Sequence, residues 1–139
     1  MKGRKRFILV DTLGLLLAVV VTEANCPERV GGAALLLEAD EVTDELVVIW
    51  VDQGFSGENF ARVSQQLCQA KVEVICRTQP GFHVLPKRWI VERTFGWWNH
   101  YRRLSKDYEL LPETSEAMIY GVMIRLMLRR LAQMKVEAS

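Results

Sequence analysis

The sequence is poor in the residues that build metal clusters and cross-links. It has only two histidines and three cysteines, and no two of the cysteines (Cys26, Cys68 and Cys76) form a C-x-x-C pair. This scarcity argues against a zinc site and against a disulfide-bonded secreted domain. We therefore expect a reduced, cytoplasmic protein whose thiols pack among apolar neighbours.

Long apolar runs and a large charge imbalance are also missing. The longest apolar run, residues 15–21, is about a third of a membrane span, so no membrane partner is expected. Asp11, Thr12 and Gly14 interrupt the apolar stretch behind the basic N-terminus, which excludes a signal peptide. With 18 basic and 17 acidic residues the net charge is +1, which excludes a histone-like polycation. The length suits a single domain over residues 1–139.

The most informative stretch is residues 87–107, KRWIVERTFGWWNHYRRLSKD, which contains no proline. At 100° per residue, one face carries polar or small residues within about 40° of the central glutamate: Arg88, Glu92, Gly96, Asn99 and Arg103. The opposite face carries Ile90, Thr94, Trp97, Trp98, Tyr101 and Leu104. The spacing predicts one amphipathic helix with an aromatic, core-facing side, so the two tryptophans are assigned to the core rather than to base stacking. A solvated surface with i,i+4 ion pairs is the simpler explanation of the charged face.

A second carboxylate follows an uninterrupted apolar run. Residues 46–51 read LVVIWV, a pattern typical of a strand buried on both faces. The run stops at Asp52, which leads into a glycine-containing loop. The carboxyl end of a buried strand is where α/β proteins place ligands. Capping of the following helix or turn by Asp52 is the alternative.

The remaining segments predict an α/β domain. Residues 7–10 and 15–21 predict a β-hairpin, because Asp11 and Gly14 bound a turn, and we assign Asp11 to that turn. Helices are predicted over 27–39, 58–70 and 113–134, with a further strand over 72–76. The apolar side of the first helix carries Val30, Ala33, Ala34 and Leu37, and the inner side of the last carries Ile119, Val122, Met123, Leu126 and Met134. The order β-β-α-β-α-β-α-α indicates a mixed sheet with helical crossovers.

Four segments stand in series along nearly the whole chain: KGRKRFILVDTLGLLLAVVV, IWVDQGFSG, LPKRWIVERTFGWWNHYRRLSKDYE and TSEAMIYGVMIRLMLRRL. Together they closely resemble bacterial insertion-sequence transposases of the DDE class, in the group named after insertion sequences four and five. The resemblance implies an RNase H-like fold. It also implies Mg²⁺-dependent (or Mn²⁺-dependent) cutting and joining of double-stranded DNA at transposon ends.

By that resemblance, Asp52 corresponds to the second acidic residue of the catalytic triad and Glu92 to the third, and both are expected to bind the metal. Arg88 matches the arginine of the family's Tyr-Arg-Glu-Lys signature. Asn99 stands where the signature has lysine, which displaces the basic contact to His100 or Arg103, and Gln53 replaces the usual glycine after the second Asp. The residues expected to contact DNA are Lys2, Arg4, Lys5, Arg6, Arg88, Asn99 and Arg103.

The family's first catalytic Asp lies on a strand upstream of the KGRKR segment. The chain is therefore expected to be the C-terminal portion of a transposase: an RNase H-like mixed sheet without its first strand, with an extra C-terminal helix. We expect little or no strand transfer from the isolated chain. We also expect an exposed strand edge that favours a homodimer or pairing with an N-terminal transposase portion. The alternatives are a non-catalytic fragment that binds DNA or a transposase, and an RNase H-like nuclease outside transposition.

Overall fold

The computed structural model describes residues 3–39, 45–52, 55, 58–74, 86–105 and 111–138, and only the backbone at 58, 86–89 and 105. The elements in chain order are β1 (Arg4–Val10), β2 (Leu16–Glu23), α1 (Glu28–Glu38), β3 (Val48–Val51), α2 (Glu58–Cys68), β4 (Lys71–Val74), α3 (Pro86–Trp98), α4 (Arg102–Ser105) and α5 (Pro112–Ala138). This order confirms the predicted α/β alternation and adds the short helix α4. None of the described helices is long and apolar enough to cross a membrane.

The hairpin of β1 and β2 turns around Asp11. Its Oδ1 atom accepts hydrogen bonds from the N–H groups of Leu13 and Leu15, both at 2.9 Å. Gly14 adopts a φ of 82°, a region that residues with a Cβ rarely occupy. The turn role predicted for Asp11 is therefore confirmed.

The outer edge of β2 is covered by side chains of α5. The Val19 N–H donates to the Tyr120 hydroxyl at 3.1 Å, and the Val21 N–H donates to Glu116 Oε1 at 2.9 Å. Backbone groups on a strand edge require such partners when no further strand is paired there. The long helix thus closes this side of the hairpin with polar atoms as well as with apolar packing.

The strands β3 and β4 form a separate parallel pair, with Val48 opposite Lys71 and α2 as the crossover. Within the described residues this pair does not join the hairpin, so the single mixed sheet that we expected is present as two two-stranded sheets. The prediction that β3 is buried on both faces is also wrong. Ile49 is 7 % exposed in a cluster with residues of α1 and α2, whereas Trp50 on the other face is 39 % exposed. The indole N–H of Trp50 donates a hydrogen bond to Glu73 Oε2 at 2.8 Å.

Helix α1 packs through two glycines together with Leu35 and Leu36. Gly31 and Gly32 are buried, and a Cβ on Gly31 would overlap the ring of Phe7. Val30 and Leu37 are 59 % and 62 % exposed, so the predicted apolar side of this helix is wrong. Aromatic rings fill the space beside the glycines, and the side of the helix that carries Val30 and Leu37 faces solvent.

The main core lies between the hairpin, α3 and α5. Its buried members are Leu16, Val19, Val21, Trp98, Leu104, Ile119 and Met123. Trp98 is 1 % exposed and its indole N–H donates to the Met123 sulfur at 3.2 Å, which confirms its assignment to the core. Met134, predicted on the inner side of the last helix, is 64 % exposed, because residues 131–138 of α5 extend beyond the core with every side chain exposed.

The predicted helix over 87–107 is broken after Trp98. The backbone N–H groups of residues 99–101 bond to carbonyls three residues earlier at 3.0–3.3 Å, and α4 then begins at Arg102. On one continuous helix, Trp98 and Leu104 would lie about 120° apart. The turn lets both enter the core, where they are 1 % and 2 % exposed. Asn99 and Arg103 therefore lie beyond α3 and do not share a helical face with Glu92, as we had predicted.

Candidate active site

A cavity of about 380 Å³ is lined from both strand pairs. Residues 5–9 of β1 and residues 49–52 at the end of β3 contribute to its walls. Helix α3 contributes three further residues: Val91, Glu92 and Phe95. Within the described residues β1 pairs with β2 alone and β3 pairs with β4 alone, so the cavity lies along two strands that are not hydrogen-bonded to each other.

The edge of β1 that faces away from β2 borders this cavity. Val19 and Val21 direct their N–H groups outward to α5. In an antiparallel pair, the residues directly opposite must then direct their backbone groups to the other side. Those residues are Ile8 and Arg6, and both line the cavity.

Asp52 and Glu92 both line this cavity, although forty positions separate them in the sequence. Asp52 follows the last residue of β3 directly, and Glu92 lies in the middle of α3; both are exposed to solvent. The structure therefore brings together the two acidic residues that the sequence singled out.

Contacts with the hairpin turn fix the orientation of α3 around its own axis. The fully buried Thr94 hydroxyl donates to the Gly14 carbonyl oxygen at 2.6 Å, and Arg93 Nη2 donates to the Leu13 carbonyl oxygen at 2.6 Å. Because these residues follow Glu92 directly, their contacts also determine which side of α3 Glu92 occupies. This anchoring was missed in the sequence analysis, because Thr94 was assigned to the apolar face of the helix.

A cation–π stack joins the same helix to α5. The guanidinium carbons of Arg93 and Arg130 lie 5.1 Å and 4.5 Å from the centre of the Trp97 ring. Trp97 is therefore partly exposed between two cations, whereas its neighbour Trp98 is enclosed by the core. Such stacking contributes about 0.5–1 kcal/mol at an exposed site.

Two of the predicted DNA-binding residues, Lys5 and Arg6, line the same cavity as Asp52 and Glu92. Both cations contact other parts of the protein. Lys5 Nζ lies 3.5 Å from the Glu28 carboxylate, and Arg6 Nη1 donates to the Leu104 carbonyl oxygen at 2.8 Å. Glu28 also lines the cavity and was missed by the sequence reasoning, because only the packing of α1 against β1 brings it there.

The other predicted DNA contacts are dispersed. Arg4 is half-buried on β1, and Asn99 and Arg103 are exposed, one just after α3 and the other within α4. Lys2 and the Arg88 side chain lie outside the described residues. The structure thus groups Lys5 and Arg6 with Asp52 and Glu92, and it does not group Asn99 and Arg103 with them.

The donor set suits a hard divalent cation. Mg²⁺ takes oxygen ligands and is usually held by one or two carboxylates together with water and substrate phosphates. Asp52 and Glu92 offer two carboxylates at one cavity, and both residues are exposed to solvent. Among the residues described, no three His, Cys, Asp or Glu side chains are close enough to hold one ion.

Comparison with known families decides what kind of protein this is. A family model described as "Transposase DDE domain" matches residues 49–129, more than half of the chain, and the match includes both Asp52 and Glu92. The chain belongs to the DDE transposase family. This membership confirms the resemblance to bacterial insertion-sequence transposases, while the assignment to the four/five group stays a prediction.

The DDE transposase chain is also similar to a curated protein, the "Putative transposase for insertion sequence element IS402" of Burkholderia cepacia. The two are 30 % identical over 132 residues, which covers 89 % of this chain and 60 % of the relative. The transposase chain therefore spans 60 % of the length of the curated relative that it matches. No solved structure matches it, so the RNase H-like topology remains a prediction.

Proposed function

We propose that the chain is the C-terminal catalytic portion of an insertion-sequence transposase of the four/five group, which cuts and joins double-stranded DNA with Mg²⁺ or Mn²⁺. One observation carries the proposal: Asp52 and Glu92 line the same cavity in a member of the DDE transposase family. Phosphoryl transfer of this kind needs carboxylates that hold metal ions beside the reacting phosphate.

In this proposal, Asp52 and Glu92 hold the metal. When bound, the metal supplies activation of the attacking hydroxyl and stabilisation of the leaving oxygen. The basic residues predicted to contact DNA would hold it through its phosphates, without reading its sequence. Lys5 and Arg6 contact Glu28 and the Leu104 carbonyl oxygen, so we expect these two cations mainly to hold β1 in place along the cavity.

We also propose that a further strand, with the third carboxylate, comes from polypeptide outside these 139 residues. Two observations support this: the cavity runs along β1 and β3, which belong to separate sheets in the described part, and the chain spans 60 % of its relative's length. A strand added there would hydrogen-bond to an existing edge. The DNA upstream of the Met1 codon tests the idea, because it should encode a strand that contains an Asp, in frame or in a shifted frame.

Metal binding is the direct test of the two carboxylates. Mn²⁺ binding to the purified chain, followed by electron paramagnetic resonance, should weaken in Asp52→Asn and in Glu92→Gln. Glu113→Gln is the matched control, because Glu113 is exposed in the first turn of α5 and does not line the cavity. Equal Mn²⁺ affinity in all four proteins would refute the assignment of Asp52 and Glu92 as ligands.

Cleavage assays separate the proposal from its alternatives. The isolated chain should show little or no Mg²⁺-dependent cleavage of duplex DNA, and robust cleavage would contradict the proposal that it is an incomplete portion. If the chain is a non-catalytic DNA-binding fragment, Glu92→Gln should leave DNA affinity unchanged or raised; if it is a catalytic unit, the same variant should abolish any cleavage. Preference for an RNA–DNA hybrid over duplex DNA would instead favour a nuclease outside transposition.

A further inference from the structure

The outward side of α5 carries a second apolar stripe that the core does not use. The inner side of this helix holds Ile119 and Met123, which are 0 % and 1 % exposed. On the opposite side, Ile124, Leu128 and Leu131 are 57 %, 60 % and 56 % exposed. Because these three residues are spaced by four and then three positions, they lie on one line along the helix. We call this line the outer stripe; its members are Ala117, Gly121, Ile124, Leu128 and Leu131.

Small residues continue the outer stripe toward the start of the helix. Ala117 and Gly121 precede Ile124 with the same alternation of four and three positions, and both are exposed. A Cβ on Gly121 would meet nothing within 4 Å, so the helix surface is open there. Apolar residues repeated at this spacing are typical of a helix that pairs with another helix.

Opposite charges flank the outer stripe. Glu113 lies in the first turn of α5 and Lys135 in its last turn, and both are exposed. At 100° per residue both fall within about 40° of the line of the stripe. In the part of the chain that the structure describes, neither forms an ion pair.

The symmetry of this pattern identifies the partner. Ile124 lies midway between Ala117 and Leu131 and also midway between Glu113 and Lys135. A second copy placed antiparallel by a two-fold axis near Ile124 covers each stripe with the other. It also brings Glu113 of each copy within about one helical turn of Lys135 of the other. A parallel pair would instead place like charges together at both ends, which electrostatic complementarity disfavours.

We propose that the outer stripe of α5 pairs two copies of this chain in an antiparallel, two-fold symmetric arrangement. The paired segments, residues 113–135, extend over about 33 Å at 1.5 Å per residue. No residue of the cavity takes part, so the pairing stands whether or not Asp52 and Glu92 hold a metal. It also leaves the strand edges at the cavity available to other polypeptide.

Sedimentation velocity over a wide range of concentration tests the pairing. The unaltered chain should show a reversible monomer–dimer equilibrium. Leu128→Lys should raise the dimer dissociation constant roughly a hundredfold, because two lysines would enter the centre of the interface. Leu37→Lys is the matched control: Leu37 is 62 % exposed on α1, and its substitution should leave the dimer intact. Far-UV circular dichroism should be the same for all three proteins, since both leucines are exposed.

Charge exchange tests the antiparallel geometry. Glu113→Lys and Lys135→Glu should each raise the dissociation constant roughly tenfold at low salt, since two weak attractions become repulsions. The double variant should restore the affinity, and so should an equimolar mixture of the two single variants. A chain that stays monomeric, a dimer that persists in Leu128→Lys, or single variants that the double exchange does not rescue would each overturn the proposal.

Discussion

Replacing Gly31 by alanine measures how closely α1 and the hairpin pack. Gly31 is buried in the middle of α1, and a methyl group there would overlap the ring of Phe7. Phe7 is itself 5 % exposed, so its ring has little free space into which to move. The substitution therefore introduces a pure packing conflict without removing any hydrogen bond.

The expected magnitude follows from two opposing terms. Alanine is favoured over glycine inside a helix by about 1 kcal/mol. Overpacking a tight contact costs about 1–3 kcal/mol, and we take the upper part of that range, about 2–3 kcal/mol, because the buried ring of Phe7 has little space into which to shift. We therefore expect Gly31→Ala to lower the free energy of unfolding by about 1–2 kcal/mol. For a domain of this size, that corresponds to a fall in Tm of about 3–8 °C.

Gly96→Ala is the matched control, because a Cβ on Gly96 would meet nothing within 4 Å. Only the propensity term then applies, and Gly96→Ala should stabilise the chain by about 0.5–1 kcal/mol. Urea unfolding followed by far-UV circular dichroism would measure both variants. If Gly31→Ala proved as stable as Gly96→Ala, the close contact between Gly31 and Phe7 would be refuted.

Two further substitutions test contacts that hold α3 and α5 on the hairpin. Thr94→Val leaves the Gly14 carbonyl without its buried donor and should cost about 1–2 kcal/mol in urea unfolding. Thr22→Val, where an exposed hydroxyl is lost, should change the stability by less than about 0.5 kcal/mol, and equal effects of the two changes would contradict the role of Thr94. Tyr120→Phe removes the acceptor of the Val19 N–H and should cost about 1 kcal/mol, with faster hydrogen exchange at Val19; unchanged exchange there would argue against the bond.

Local chemistry made the hairpin predictable. Asp11 and Gly14 specify the turn by themselves, because one side chain binds nearby N–H groups and the other residue supplies a positive φ. The types and order of the longer elements followed from apolar periodicity for the same reason. The turn and the types of the elements are therefore determined by residues close to one another in the sequence.

The wrong predictions arose where distant contacts decide the outcome. The break after Trp98 depends on two residues sharing one core, which periodicity along a single helix does not reveal. The packed side of α1 depends on aromatic rings from β1 and α2 that occupy the space beside Gly31 and Gly32. The two glycines gave no apolar signal, and the opposite side was chosen although Leu35 and Leu36 lie beside the glycines on the buried side.

The candidate site also has features that could be predicted from the sequence and features that depend on packing. The position of Asp52 at a strand end was an expectation of α/β folds, and the pairing of Asp52 with Glu92 came from the family resemblance. That both line one cavity is a finding about packing. Glu28 beside Lys5 went unnoticed because nothing in the sequence links α1 to the edge of β1.

The polar side chains of α5 on the outer edge of β2 determine which edge of the hairpin can pair with a strand from another chain. With Tyr120 and Glu116 bonded to Val19 and Val21, an incoming chain finds no template on that side. Within the described residues, a further strand can then join the hairpin only along the edge of β1 that borders the cavity. Substitutions that uncovered the outer edge would give the hairpin two growing ends, the condition for open-ended, fibril-like polymerisation.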